Sequence, residues 1–261
     1  MITIDRARVE SAFYDYTSNY DASDPKIDLK IKHTGRVASL SEEIANSLSL
    51  PAHDVDLAWL IGMLHDFGRL EQLRRYNTFI DRKSIDHATF GVSLLFDERL
   101  IDRFVPDADP SDPDVKLIRF CIEWHNKYRM PEDLDTRTQL FADLIRDADK
   151  IDILRVNIDT PMPEIYNVTP EEMASSPITP EVLNAFEEEH AILHSLKRNA
   201  MDSLVGHLSL AFELVYPKSR EILDAQGYIY RLTEFQSALP EVNAQLQSMR
   251  EHVKRFLQAS K

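Results

Sequence analysis

Residues 55–68 read VDLAWLIGMLHDFG. Val55, Ala58, Trp59, Gly62 and Met63 recur at the spacing of one face of a helix, and Asp66 ends that stripe with His65 beside it. Neighbouring helical residues diverge by about 100°, so an adjacent His and Asp do not ordinarily share a target. A helix end relaxes this, and Phe67-Gly68 reads as an end, because a glycine just past the last turn permits a left-handed residue. A carboxylate on an apolar stripe is costly to bury unless it is paired or binds a metal.

Working outward, the same periodicity predicts helices at roughly 5–19, 26–48, 53–66, 70–76, 86–98, 113–125, 138–156, 180–216, 218–236 and 240–259. Asp24-Pro25, Thr169-Pro170 and Thr179-Pro180 each place a capping residue before a proline at the first helical position, and Glu172 completes a capping box with Thr169. Alternating runs are scarce, so the fold class is all-α. The stretch 157–180 holds Pro161, Pro163, Pro170, Pro177 and Pro180 with little periodicity and reads as a connection. The expected organisation is a helical domain over 1–156, the proline-rich connection, and a helical C-terminal region over 181–261. That region either packs on the first part or forms an oligomer interface such as a homodimer.

Composition narrows the function. The chain has 261 residues, 43% of them hydrophobic, enough for a substantial core. Thirty Lys and Arg against 44 Asp and Glu leave a net charge of −14, which disfavours nucleic acid and anionic membrane surfaces as partners. An anionic substrate would need local positive charge. One cysteine excludes a disulfide framework or a multi-cysteine zinc site. No apolar run is long enough to span a bilayer, and Met1-Ile2-Thr3-Ile4-Asp5 has no leader character, so the expected location is the cytoplasm. The six glycines are scattered, which excludes the glycine-rich phosphate loops of dinucleotide-binding and P-loop folds.

Four of the nine histidines fall on inward stripes. His33 continues Val37, Leu40, Ile44 and Leu48; His65 flanks the stripe already described; His87 heads Gly91, Leu94 and Leu95; His125 ends Val115, Ile118 and Ile122. Asp149 follows Phe141, Leu144, Ile145 and Ala148. Each histidine alone reads as a core residue bonded to a carbonyl. Four imidazoles and two carboxylates from five helices, with little Lys or Arg on those faces, read as a site for a divalent metal such as Fe, Mn or Zn.

The ordered residues His33, His65-Asp66 and Asp149 resemble the H…HD…D pattern of the HD-domain superfamily of metal-dependent phosphohydrolases. His65-Asp66-Phe67-Gly68-Arg69 looks like its core motif, and Asp147-Ala148-Asp149-Lys150-Ile151-Asp152 is similar to its closing motif. His87, in His87-Ala88-Thr89-Phe90-Gly91, and His125, in Trp124-His125-Asn126, match the six-ligand subset with a second metal. The resemblance covers roughly residues 26–156 and implies an HD-type helical bundle. It implies one ion held by His33, His65, Asp66 and Asp149, another held by Asp66, His87 and His125, and one or two divalent ions in all (Fe, Mn, Co, Mg or Zn). The implied reaction is hydrolysis of a phosphate ester or anhydride, a nucleotide being the expected substrate class, by metal-activated water. Asp66 and Asp149 would be catalytic as well as ligating. Arg69 and Lys150 are the first cations expected to meet the phosphate; Arg36, Lys127 and Arg129 are further candidates.

Two other functions fit the same ligands: a di-iron oxygenase on an HD fold, and a non-catalytic metal-binding regulatory module. His190 and His194 stand four apart on a predicted helix but lack the glutamate of a metalloprotease motif, and read as a solvated face. His53 reads as a capping or exposed residue, and Cys121 as a buried thiol. His207 and His252 have no evident companions. Asn167-Val168-Thr169 fits a glycosylation sequon but carries no meaning without secretion.

Overall fold

The computed structural model describes residues 1–106 and 108–259, which form two compact units, residues 1–149 and 150–261. Among the described residues there is no strand, and the fold is all-α.

The first unit holds α1 (Arg6–Thr17), α2 (Pro25–Ser47), α3 (Ala52–Leu64), α4 (Gly68–Tyr76), α5 (His87–Val92), α6 (Ile101–Phe104), α7 (Pro113–Trp124) and most of α8 (Thr136–Asp159). Local chemistry sets the starts. Asp5, Asp24, Asp86 and Asp112 each accept a backbone N–H of the first turn, and Pro25 and Pro113 supply a first residue whose missing N–H costs nothing there. Asn77, in the left-handed region at φ 54°, ends α4.

The centre of the unit is apolar: Ile44, Leu57, Leu60, Ile61, Leu64, Ile118, Ile122 and Ile145 are buried. Here α2 and α3 pack closely because position 62 has no side chain. A Cβ on Gly62 would lie 2.6 Å from the Ala38 Cα. Gly68 does the same where α4 meets α5, since a Cβ there would collide with His87 O and lie 2.7 Å from Gly91 N. This corrects the expectation for Gly68. It does not cap α3 in a left-handed turn but opens α4, and it is glycine because another backbone crosses it.

The second unit holds α9 (Met162–Tyr166), α10 (Pro170–Ala174), α11 (Pro180–Glu187), α12 (Ala200–Leu208), α13 (Pro217–Gln226), α14 (Tyr228–Leu232) and α15 (Pro240–Gln258). Three expectations change here. The stretch 157–180 carries helical turns and buried residues, Met173 and Ile178 among them. The expected helix over 180–216 is broken. It stops at Glu187, Glu189 takes a positive φ of 56°, and a new helix starts at the capping box of Asn199 and Asp202. Asp202 also receives Thr179 N at 2.8 Å and Thr179 Oγ1 at 2.6 Å, so it fastens two helix starts. The expected helix over 218–236 breaks at Gly227, whose φ of 69° suits a residue without Cβ. No helix among the described residues is long and apolar enough to cross a membrane.

Candidate metal centre

Six side chains from five helical segments of the first unit converge. His33 comes from the middle of α2, His65 and Asp66 from the turn after α3, His87 from the first residue of α5, His125 from the residue closing α7, and Asp149 from α8. All but Asp149 are buried, and the Asp149 side chain keeps 14% exposure, which puts it at the edge of the cluster. Backbone placement does much of this work. His65 and Phe67 keep right-handed helical angles, so the chain runs from α3 almost directly into α4 while His65 and Asp66 face the same interior.

Asp66 divides the cluster. Its Oδ2 lies 3.5 Å from His33 Nε2 and 3.7 Å from His65 Nε2, and those two nitrogens are 3.4 Å apart. Its Oδ1 lies 3.3 Å from His87 Nε2 and 3.8 Å from His125 Nε2, which are 3.1 Å apart. Asp149 Oδ1 joins the first group, 3.2 Å from His33 Nε2 and 3.7 Å from His65 Nε2. Each oxygen of one carboxylate thus faces its own imidazole pair. In the groups His33, His65, Asp66 and Asp66, His87, His125, as in His65, His125, Asp149, the ligand atoms all lie within 4.8 Å of one another.

The ring orientations are set from behind. His65 Nδ1 donates to Gly62 O at 2.8 Å and His125 Nδ1 donates to Ile122 O at 2.7 Å, each a carbonyl of the turn it closes. His87 Nδ1 donates to Asp81 Oδ2 at 2.7 Å. An Nδ1 that faces an oxygen acceptor must carry the proton, so these three rings present Nε2 lone pairs inward. Lone pairs and carboxylate oxygens facing one another are unfavourable without a cation between them. The donor set therefore fits divalent metal, and this buried His/Asp cluster can bind it.

The charge states agree. Burial pushes His65 down to about 4, and burial with the nearby Arg69 pushes His87 down to about 4, so both rings are neutral near pH 7. Burial works against ionised Asp66, but Lys30 and His65 outweigh it and hold the carboxyl well below its usual range. Asp149 and Asp81 are likewise lowered against the effect of burial, chiefly by their bonds to His33 and His87.

The candidate cations divide. Arg69 lies behind the cluster, with Nε 3.5 Å from Asp66 Oδ1. Its Nη1 donates to Asp81 Oδ1 at 2.9 Å, Gln72 Oε1 at 2.9 Å and Phe79 O at 2.7 Å. Lys127 is bound to Asp86 Oδ2 at 2.6 Å, Arg129 lies over the exposed Tyr128 ring, and Arg36 is half-exposed one turn beyond His33. Lys150 follows Asp149 on α8 and begins the second unit.

Four residues that sequence reasoning missed shape the centre. Lys30 Nζ lies 2.7 Å from Asp66 Oδ2. Asp81 orients His87, and Gln72 holds Asp81 Oδ1 through Nε2 at 2.9 Å. Arg146 Nη1 donates to the carbonyls of Trp124, His125 and Lys127, pinning the turn that carries His125. Lys30 had a signal, being one turn before His33 on the same face. Asp81 had none, because it opens a single 3-10 turn too short to show a period.

The other histidines lie apart. His53 pairs with buried Asp114 at 3.0 Å instead of serving as a cap. His190 and His194 share no helix, because residues 188–193 are not helical and His194 opens a short 3-10 turn. His207 bonds Tyr166 at 3.0 Å and His252 bonds Glu189 at 2.7 Å. Cys121 is buried, and burial pushes its thiol pKa up.

Compared with known families, residues 31–154 match the HD domain, a span that contains all six converging residues. This segment is similar to the HD domain, and it carries a His/Asp cluster compatible with a metal site of that type. No curated protein and no solved structure matches the chain.

Proposed function

We propose that this HD-domain protein is a metal-dependent phosphohydrolase that cleaves a phosphate ester or anhydride of a small anionic substrate, nucleotides being the favoured class. The observation that carries the reading is the division of Asp66 between two imidazole pairs. His33, His65, Asp66 and Asp149 would hold one divalent cation, and Asp66, His87 and His125 a second. Such a pair supplies Lewis acidity and a water acidic enough to ionise near neutral pH.

The chain's own residues do the rest. Asp66 fixes the spacing of the two halves. Asp149, the least buried of the six, would orient the attacking water and take its proton as the P–O bond breaks and the leaving oxygen departs. Asp81 and the two helix-end carbonyls keep His87, His65 and His125 in the ligating tautomer. Lys150 remains a candidate for stabilising charge on the phosphate. Arg69 is assigned a different task from the one its motif position suggests, since its Nη1 serves Asp81 and so His87.

The test is the full-length chain loaded in turn with Mn2+, Co2+, Mg2+, Zn2+ or Fe2+ and assayed on phosphomonoesters, phosphodiesters and nucleoside phosphates. Phosphate release by a loaded form, lost on chelation, is expected. Bound metal with no turnover on any substrate would overturn the enzyme assignment and leave a metal-binding module. Oxygen uptake by the Fe2+ form without phosphate release would make it an oxygenase.

A further inference from the structure

The ammonium that touches the cluster belongs to Lys30, one turn before His33 on α2. It lies 2.7 Å from Asp66 Oδ2, its side chain is 18% exposed, and it faces the Phe79 ring at 5.6 Å. Asp66 Oδ2 is also the oxygen that His33 Nε2 and His65 Nε2 approach. Lys30 and any cation held by that imidazole pair therefore address one carboxylate oxygen. A divalent ion there takes up the negative charge that now holds the ammonium, and sets a like charge beside it.

Two neighbouring cations are already engaged elsewhere. Arg69 Nη1 is shared by three acceptors, and its Nε, though buried, has no hydrogen-bond partner. Lys127 is committed to Asp86. A planar guanidinium pinned by several bonds cannot follow a substrate, whereas an ammonium on a four-carbon stem can turn to a new anion.

Resting on the reading above, we propose that Lys30 is a substrate-binding residue, which exchanges its bond to Asp66 for one to a non-bridging phosphate oxygen once the centre holds metal. The ammonium balances Asp66 before metal binds and the substrate's phosphate afterwards. No covalent bond is made or broken in the exchange.

The experiment compares the wild-type chain with Lys30→Met and Lys30→Arg, using Mn2+ alone and then inorganic phosphate on the Mn2+-loaded protein, both by titration calorimetry. Lys30→Met should bind Mn2+ at least as tightly as wild type, since a competitor for Asp66 is gone. Its phosphate affinity should fall about 10- to 100-fold, as expected for a lost charge-assisted hydrogen bond. Lys30→Arg should recover most of that affinity. Lys30→Gln is a second neutral variant should methionine disturb packing. Unchanged phosphate affinity in the neutral variants, or weakened Mn2+ binding, overturns the proposal and leaves the metal centre standing. A wild-type chain that binds no Mn2+ overturns the metal centre as well.

Discussion

Asp66 is the residue on which the centre turns. Both of its oxygens face imidazole pairs, so Asp66→Ala should abolish metal binding and activity together, read by elemental analysis and by turnover. Asp81 acts on one half only, through His87 Nδ1. Asp81→Asn should weaken the ion at His87 and His125 by about 10- to 100-fold and leave the other nearly unchanged, as a two-step Mn2+ titration would show. The pH dependence follows from the buried rings. His65 and His87 have folded pKa values of about 4, below an unfolded value of about 6.5. The unfolded chain thus binds more protons between those values, and stability rises with pH across that window. The metal-free protein should lose stability as pH falls from about 6.5 towards 4, and thermal melts at stepped pH would show it. A melting temperature flat over that range would contradict the neutral-ring assignment.

At the scale of the element, glycine decides how closely helices can approach the site. Gly68→Ala would put a methyl group against His87 O and Gly91 N. The expected cost is about 1–3 kcal/mol, with His87 displaced and the second ion weakened first, measured by melting and by Mn2+ stoichiometry. The helices that carry ligands were legible because each buries one stripe, and a period of 3.6 shows through any sequence that does so. The six converging residues were legible for the same reason: His33, His125 and Asp149 each extend an apolar row. What escaped was either aperiodic or non-local. Asp81 lies in a single 3-10 turn, and Arg146 works through carbonyls on another segment. The break after Glu187 was hidden because Ala191, Ile192 and Leu193 mimic a continuing helix, while the decisive contacts are long-range: Ala191 N on Glu213 Oε1 and Ile192 N on Ser209 Oγ. The capping box of Asn199 and Asp202 was the available signal for the restart.

At the scale of the molecule, charge sets the terms on which a phosphate-bearing substrate arrives. The chain carries −14, so an anion meets a repulsive field before it reaches the buried centre. Salt screens that field over about 8–10 Å at 0.10–0.15 M. The expected result is a kcat/KM for an anionic phosphate ester that rises as salt is raised towards that range, opposite to an enzyme that steers its substrate by a basic surface. Metal should also stabilise the fold by mass action, by about 2.7 kcal/mol at a free ion concentration a hundred times Kd, visible as a higher melting temperature and reversed by chelator.

His65 and His125 each close the last turn of a helix and brace their Nδ1 on a carbonyl of that same turn, Gly62 O and Ile122 O. Each ring must break that bond before it can swing out. An ion held there would leave more readily when the turns at His65 and His125 loosen, so its residence time would report on local unwinding. In a chelator chase the release rate should follow mutations that loosen those turns, even ones that touch no ligand.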